Sequence, residues 1–292
     1  MTTPSAGAGA PPRRFKRIMI AFDWGSESVR AVEEATDLAV RLHAELRAMF
    51  VEDVDLLRLS EHANVHAFRL LSLTGQQLAA GQLRQEMRAR VARSRRALEE
   101  AAARRRLKCA FEVRQGHALS EALEAATDED LVIVSWSPQL MSGSWGATRP
   151  PPAALAHALS EAHGRSVLLL HPDAPKAGPI LIGFDGSDQA KTALGAALQI
   201  ADDQVSELIV VLLSNRLAEI DRWSHEIKEM TADSTSPLRI VHMPMAGLAE
   251  LCHLARNSHA RLLVFGANLV LAQGDMGRQA LGRVSCSVLL TR

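Results

Sequence analysis

Tyrosine is absent from this chain, and aromatic residues of every kind make up only 4% of it. A core built from such a sequence must be aliphatic. Cysteine is nearly as scarce. Cys109, Cys252 and Cys286 are widely separated and none stands in a CxxC pair. That spacing argues against a disulfide framework and for a reduced, cytoplasmic setting. No apolar run approaches the roughly 18 residues that a membrane span needs, so no membrane association is expected. Net charge is missing as well: 33 basic residues balance 33 acidic ones, and the whole molecule exerts no general pull on nucleic acid or anionic lipid. There is no Walker A loop, no GxGxxG, no nucleophile elbow and no Ser-His-Asp order. These absences remove the commonest nucleotide-hydrolase, dehydrogenase and acyl-transfer chemistries, and no enzymatic activity is expected. The first twelve residues, MTTPSAGAGAPP, lack an apolar h-region and read as part of a flexible tail over 1–15.

What is present is a repeat. Ile180 to Ala190 reads ILIGFDGSDQA, and Ile18 to Ser28 reads IMIAFDWGSES. Both share Ile-x-Ile-x-Phe-Asp followed by Gly-Ser, with Trp24 as one extra residue in the first copy. Each is a short buried strand that opens into a tight turn and then a helical pattern. In an open parallel sheet, ligands bind off strand ends of this kind. At 292 residues the length suits about two domains.

Strand and helix patterns alternate through both copies. Strands are expected at 18–22, 45–51, 109–113, 130–135 and 166–170, and helices at 26–43, 82–106, 118–126 and 153–163. A Pro/Gly-punctuated linker covers 173–179. The second copy gives strands at 180–184, 206–213, 238–242, 261–265 and 287–291, and helices at 188–202, 215–231, 247–257 and 275–283. Such alternation produces parallel βαβ units. The expected class is α/β, with two tandem five-stranded, parallel, doubly wound, Rossmann-like domains packed as a pseudo-dimer, over 16–172 and 179–292. The stretch 52–80 reads as a helical insertion, with His62 and His66 at i, i+4, a spacing that could hold a metal on a helix. No third ligand accompanies them, and no metal is expected. Ten basic residues between Arg84 and Lys108 face only Glu86, Glu99 and Glu100. A basic helix of this kind could bind nucleic acid, but no aromatics are interleaved for stacking, and a solvated outer face is the simpler reading. His242, Cys252, His253 and His259 invite a metal reading, yet Cys252 and His253 are adjacent and diverge by about 100° on a helix.

The strand ending in Asp-(x)-Gly-Ser, the element order, and the closing LVFGA…CSVLL resemble the universal stress protein family in its tandem form. The resemblance runs over about 16–171 and 179–292. It implies that the last strands of the two halves, 166–170 and 287–291, pair internally, which removes two exposed edges. It also implies a ligand-binding place around Asp23, Gly25 and Ser26 in the first half and Asp185, Gly186 and Ser187 in the second. Nucleotide-binding members carry Gly-x-x-Gly, nine residues, then Gly-Ser or Gly-Thr, where glycines and helix N–H groups hold phosphate. This chain departs from that motif twice. Gly143 is present in the first half, but Leu140 and Ala153-Ala154 replace the other motif positions, and Pro150 to Pro152 remove three donors. In the second half Gly266 is in place, but Leu269 stands for the second Gly and Gly274-Asp275 for Gly-Ser/Thr. Asp275 suits an N-cap of the last helix. The expectation is a non-catalytic, cytoplasmic stress-response or regulatory protein. It would have degenerate nucleotide sites and no required cofactor, and would act through a partner protein or a small ligand, with a protein partner or a homodimer expected. Two alternatives stand beside it. One is an ATP- or AMP-binding slow switch using Arg149 or Arg278 as phosphate ligand. The other is a nucleic-acid-associated protein using the 84–108 helix.

Overall fold

The computed structural model describes residues 15–22, 29–53, 66–67, 76–77, 80–116, 118–135, 165–171, 173–201, 207–244, 247–281 and 284–292. In the first half the strands are β1 (Arg17–Phe22), β2 (Glu45–Asp53), β5 (Cys109–Gly116), β6 (Asp130–Ser135) and β7 (Ser166–Leu170). The helices are α1 (Val29–Leu42), α2 (Ala80–Arg104) and α3 (Ala118–Ala125). The second half has β8 (Ile180–Phe184), β9 (Leu208–Leu212), β10 (Leu238–His242), β11 (Leu262–Gly266) and β12 (Ser287–Thr291). Its helices are α4 (Asp188–Ile200), α5 (Leu217–Met230), α6 (Leu248–Asn257) and α7 (Ala267–Leu281).

The ten strands form one sheet in the order β10-β9-β8-β11-β12-β7-β6-β1-β2-β5. Neighbours are parallel except at the centre, where β7 and β12 run antiparallel with Leu168 opposite Leu289. The two closing strands therefore pair as the resemblance implied. Each half has a point where the strand order reverses, between β1 and β6 and between β8 and β11. At each such point the flanking chains leave the sheet in opposite directions and a crevice opens.

The strands are continuous apolar runs because helices cover both faces. Successive side chains point to opposite faces. In β1, Ile18, Ile20 and Phe22 join a cluster with α1, α2, α4 and α5, whereas Met19 and Ala21 join a second cluster with α3, α6 and α7. Both clusters run through the two halves. Arg17 is tied across β1 and β6 by a bidentate ion pair with buried Asp130, Nε to Oδ1 at 2.8 Å. Asp130 also accepts from the Thr127 backbone N–H at 2.6 Å. The Asp130 hydrogen bond holds the Arg17 guanidinium above its ordinary pKa.

Two expectations change. The stretch 52–80 is expected to be helical, but β3 (His66–Ala67) and β4 (Gln76–Gln77) form a separate antiparallel pair within it. His66 lies on a strand, so the i, i+4 helical spacing with His62 does not apply. His62 itself is outside the described residues, as is the expected helix 153–163. The second change is at the last helix. It begins at Ala267, directly after β11, and not near 275. Gly274 and Asp275 are therefore interior to α7, and Asp275 is not its N-cap.

Candidate functional site

The second-half crevice is built from the end of β8. Five consecutive buried residues carry the chain to Asp185. Gly186 then takes φ +77°, a left-handed conformation that glycine adopts without steric cost. A Cβ on Gly186 would collide with the indole of Trp223, at both Cε2 and Cζ2. Trp223 comes from α5, is 6% exposed, and meets Phe184 edge-on with centroids 5.9 Å apart. Ser187 caps α4, accepting from the Ala190 N–H at 3.2 Å. Asp185 holds the turn: its Oδ1 accepts from the Ser187 N–H at 3.1 Å and the Ser187 hydroxyl at 2.5 Å. This is the side-chain-to-backbone role expected of Asp in such a turn.

The other wall is the start of α7. Asn268 Nδ2 donates to Asp185 Oδ2 at 2.9 Å and lies 3.4 Å from Ser187 Oγ. The bond joins the ends of β8 and β11, so it crosses the point where strand order reverses. The Asn268 backbone N–H, one of the orphan donors of a helix N-terminus, gives its hydrogen bond to Gln189 Oε1 at 2.9 Å. Thr291 Oγ1 donates to the Gln189 carbonyl at 3.2 Å. A Cβ on Gly266 would clash with Asn268 Oδ1 and lie 2.8 Å from Gln189 Cβ. Glycine at 266 is thus required by the chain's own side chains. Leu269 turns inward: its Cδ1 is 3.6 Å from where a Cβ on Gly183 would sit.

Asp185, Gly186, Ser187 and Gly266 are therefore brought together, as the sequence reading grouped them. Gly274 and Arg278 are not. Their backbone lies seven and eleven residues along α7, roughly 10 and 16 Å from its start. Asp23, Trp24, Gly25, Ser26, Gly143 and Arg149 lie outside the described residues. The sequence reading missed Asn268, Gln189, Thr291 and Trp223. No local pattern marks them, because each acts on a residue at least 37 positions away.

The metal candidates are dispersed. His242 Nε2 meets the Ser214 carbonyl at 2.7 Å, and Cys252 is buried while His253 faces Asn257 at 3.0 Å from the surface of α6. Among the described residues, no group of three or more His, Cys, Asp or Glu could hold a metal ion. Burial pushes the Cys252 and Cys286 thiols up to about 12. Burial also raises the half-buried Cys109 thiol, with Glu99 adding to it. No helix among the described residues is long and apolar enough to cross a membrane.

No protein-family model matches the chain, and no curated protein does. Solved structures do. A universal stress protein from Archaeoglobus fulgidus DSM 4304 superposes with a TM-score of 0.64 at 12% identity, covering 97% of this chain and 98% of that one. A candidate universal stress protein from Pseudomonas aeruginosa UCBPP-PA14 gives 0.52 at 15% identity, covering 96% and 94%. A protein of unknown function from Pseudomonas aeruginosa PAO1 gives 0.52 at 14%, covering 96% and 93%. A doubly wound sheet reversing at β8 and β11, with an Asp-Gly-Ser turn at the reversal and these neighbours along nearly its whole length, has the universal stress protein fold.

Proposed function

We propose that this is a non-catalytic stress-response protein whose second-half crevice is a self-filled remnant of a nucleotide site. It acts through a protein partner, a second copy or another chain, in the cytoplasm. One observation carries the reading: the Asn268 side chain crosses the crevice to Asp185 and Ser187. Both carboxylate oxygens of Asp185 already have internal donors. The Asn268 N–H that would face an anion at the α7 N-terminus is taken by Gln189. Glycines that would let phosphate approach the backbone are replaced or enclosed, and α7 starts too early to leave a phosphate loop. In the first half, Pro150 to Pro152 and Ala153-Ala154 support the same reading from sequence.

Native mass spectrometry of the freshly purified protein tests it. The expected spectrum is the bare polypeptide. A stoichiometric mass increment equal to ATP, ADP or AMP would support a nucleotide switch instead.

A further inference from the structure

The two ends of the sheet are unequal. At one end β10 pairs with β9 over five residues. At the other, β5 pairs with β2 over eight, from Cys109 to Gly116. Among the described residues nothing pairs with the outer edge of β5. The free N–H and C=O groups of such an edge accept another strand, and proteins blunt it with Pro or with charge. β5 contains no Pro, and it carries one charge of each sign, Glu112 and Arg114, two residues apart.

That spacing is self-complementary. A twofold axis normal to the sheet lays a strand antiparallel beside its own copy, with the same patch on both subunits. Facing residues point to the same side of the sheet, so the axis passes at a residue and not between two. With the axis at Val113, Glu112 faces the partner's Arg114, and Arg114 faces the partner's Glu112. Phe111 then meets the partner's Gln115, and Ala110 the partner's Gly116. An axis at residue 112 or 114 sets Glu112 against the partner's Glu112, or Arg114 against the partner's Arg114, and like charges directly opposite are destabilising. Val113 is apolar and 42% exposed, and on the axis it meets its own copy. Within one chain the two charges are loosely joined, Arg114 Nε to Glu112 Oε1 at 3.5 Å, and both stay partly exposed. The groove that Val113 lines with α2 holds Arg88, Arg95 and Arg96 against Glu52 and Glu99, so no single-sign lining beside the axis holds two copies apart. β10 lacks this property: an axis at its central Ile240 sets Arg239 opposite Val241 and leaves the charge unmatched.

We infer that the β5 edge is the interface for a second copy of this chain, paired antiparallel about Val113 so that the ten-stranded sheet continues across a twofold axis. Backbone pairing supplies affinity, and the two Glu112–Arg114 pairs fix the register. The inference rests on the proposed function only for the kind of partner. A monomer would remove this interface and leave the crevice reading intact, and bound nucleotide would do the reverse.

Sedimentation velocity of the full chain tests it. The mass should rise from one chain towards two between about 1 and 100 µM, and amide exchange across 110–116 should slow over the same range. Glu112→Arg and Arg114→Glu each set like charges opposite in both pairs, and each should weaken self-association roughly tenfold. Mixing these two variants, one of them fluorescently labelled, should restore association as a one-to-one heterodimer, because each then faces the opposite sign. Val113→Lys, a change at an exposed position, sets two cations on the axis and should also yield monomer. A single-chain mass at about 100 µM, unchanged self-association in the three variants, or no heterodimer on mixing would each overturn the inference.

Discussion

Gly186 and Asn268 show how individual residues shape the crevice. Gly186 sits at φ +77° with Trp223 where a side chain would begin. Gly186→Ala adds left-handed strain and a steric conflict together, so it should cost about 2–4 kcal/mol in urea unfolding. The Asp185-Gly186-Ser187 turn was readable in the sequence because its logic is local: a short carboxylate, a positive-φ glycine and a capping hydroxyl in consecutive positions. Asn268 was not readable, since its partners lie 83 and 81 positions earlier. The cysteines give a second residue-scale prediction. Cys252 and Cys286 are buried and held protonated, with pKa values pushed to about 12, and thiolate is the reactive form. In the native protein at pH 8, Ellman's reagent should modify Cys109 alone, and all three thiols only after denaturation.

Among the elements, β8 and α4 matched the reading closely because burial on both faces writes a strand as an unbroken apolar run. The start of α7 did not. Ala267 begins that helix without a local Ser, Thr or Asp cap, and Gln189 of α4 supplies an acceptor instead. A cap borrowed from another element leaves no trace near the helix it serves. The β3–β4 pair was likewise hidden behind a leucine-rich stretch compatible with helix. The connection after β7 carries a pH prediction. The His171 N–H donates to Ser287 Oγ at 3.2 Å, and its Nδ1 accepts from the Asp173 N–H at 3.1 Å. Burial lowers the His171 pKa, with Asp173 opposing and Arg30 reinforcing. A lowered histidine pKa means that the unfolded chain binds more protons. This contribution is therefore complete above the unfolded value of about 6.5 and is lost as pH falls from there through the lowered folded-state value. The wild type should lose more stability than His171→Asn between pH 7.5 and 5.5, measured by thermal melts of both.

On the scale of the whole molecule, the antiparallel β7–β12 pairing turns two five-stranded sheets into one, and both apolar clusters cross the junction. Arg41 Nη1 reaches the Ile200 carbonyl at 3.2 Å, which ties α1 to α4 of the second half, and Arg30 Nη2 reaches the Ala174 carbonyl of the linker at 2.6 Å. The halves should therefore unfold together. Leu289→Ala, at the central pair, should cost about 2–5 kcal/mol and lower one shared transition. Two separated transitions in calorimetry would contradict the continuous core. The repeat and the fold class were legible from the duplicated Ile-x-Ile-x-Phe-Asp stretch, but the filling of the crevice became visible only once β8, β11, α4 and α5 met in space. We propose that the Asp185–Asn268 bridge leaves no room for a nucleotide. Isothermal titration of the intact protein with ATP and magnesium, and separately with AMP, tests it most directly. The account predicts no saturable heat with either ligand, and a stoichiometric isotherm with micromolar affinity would contradict it.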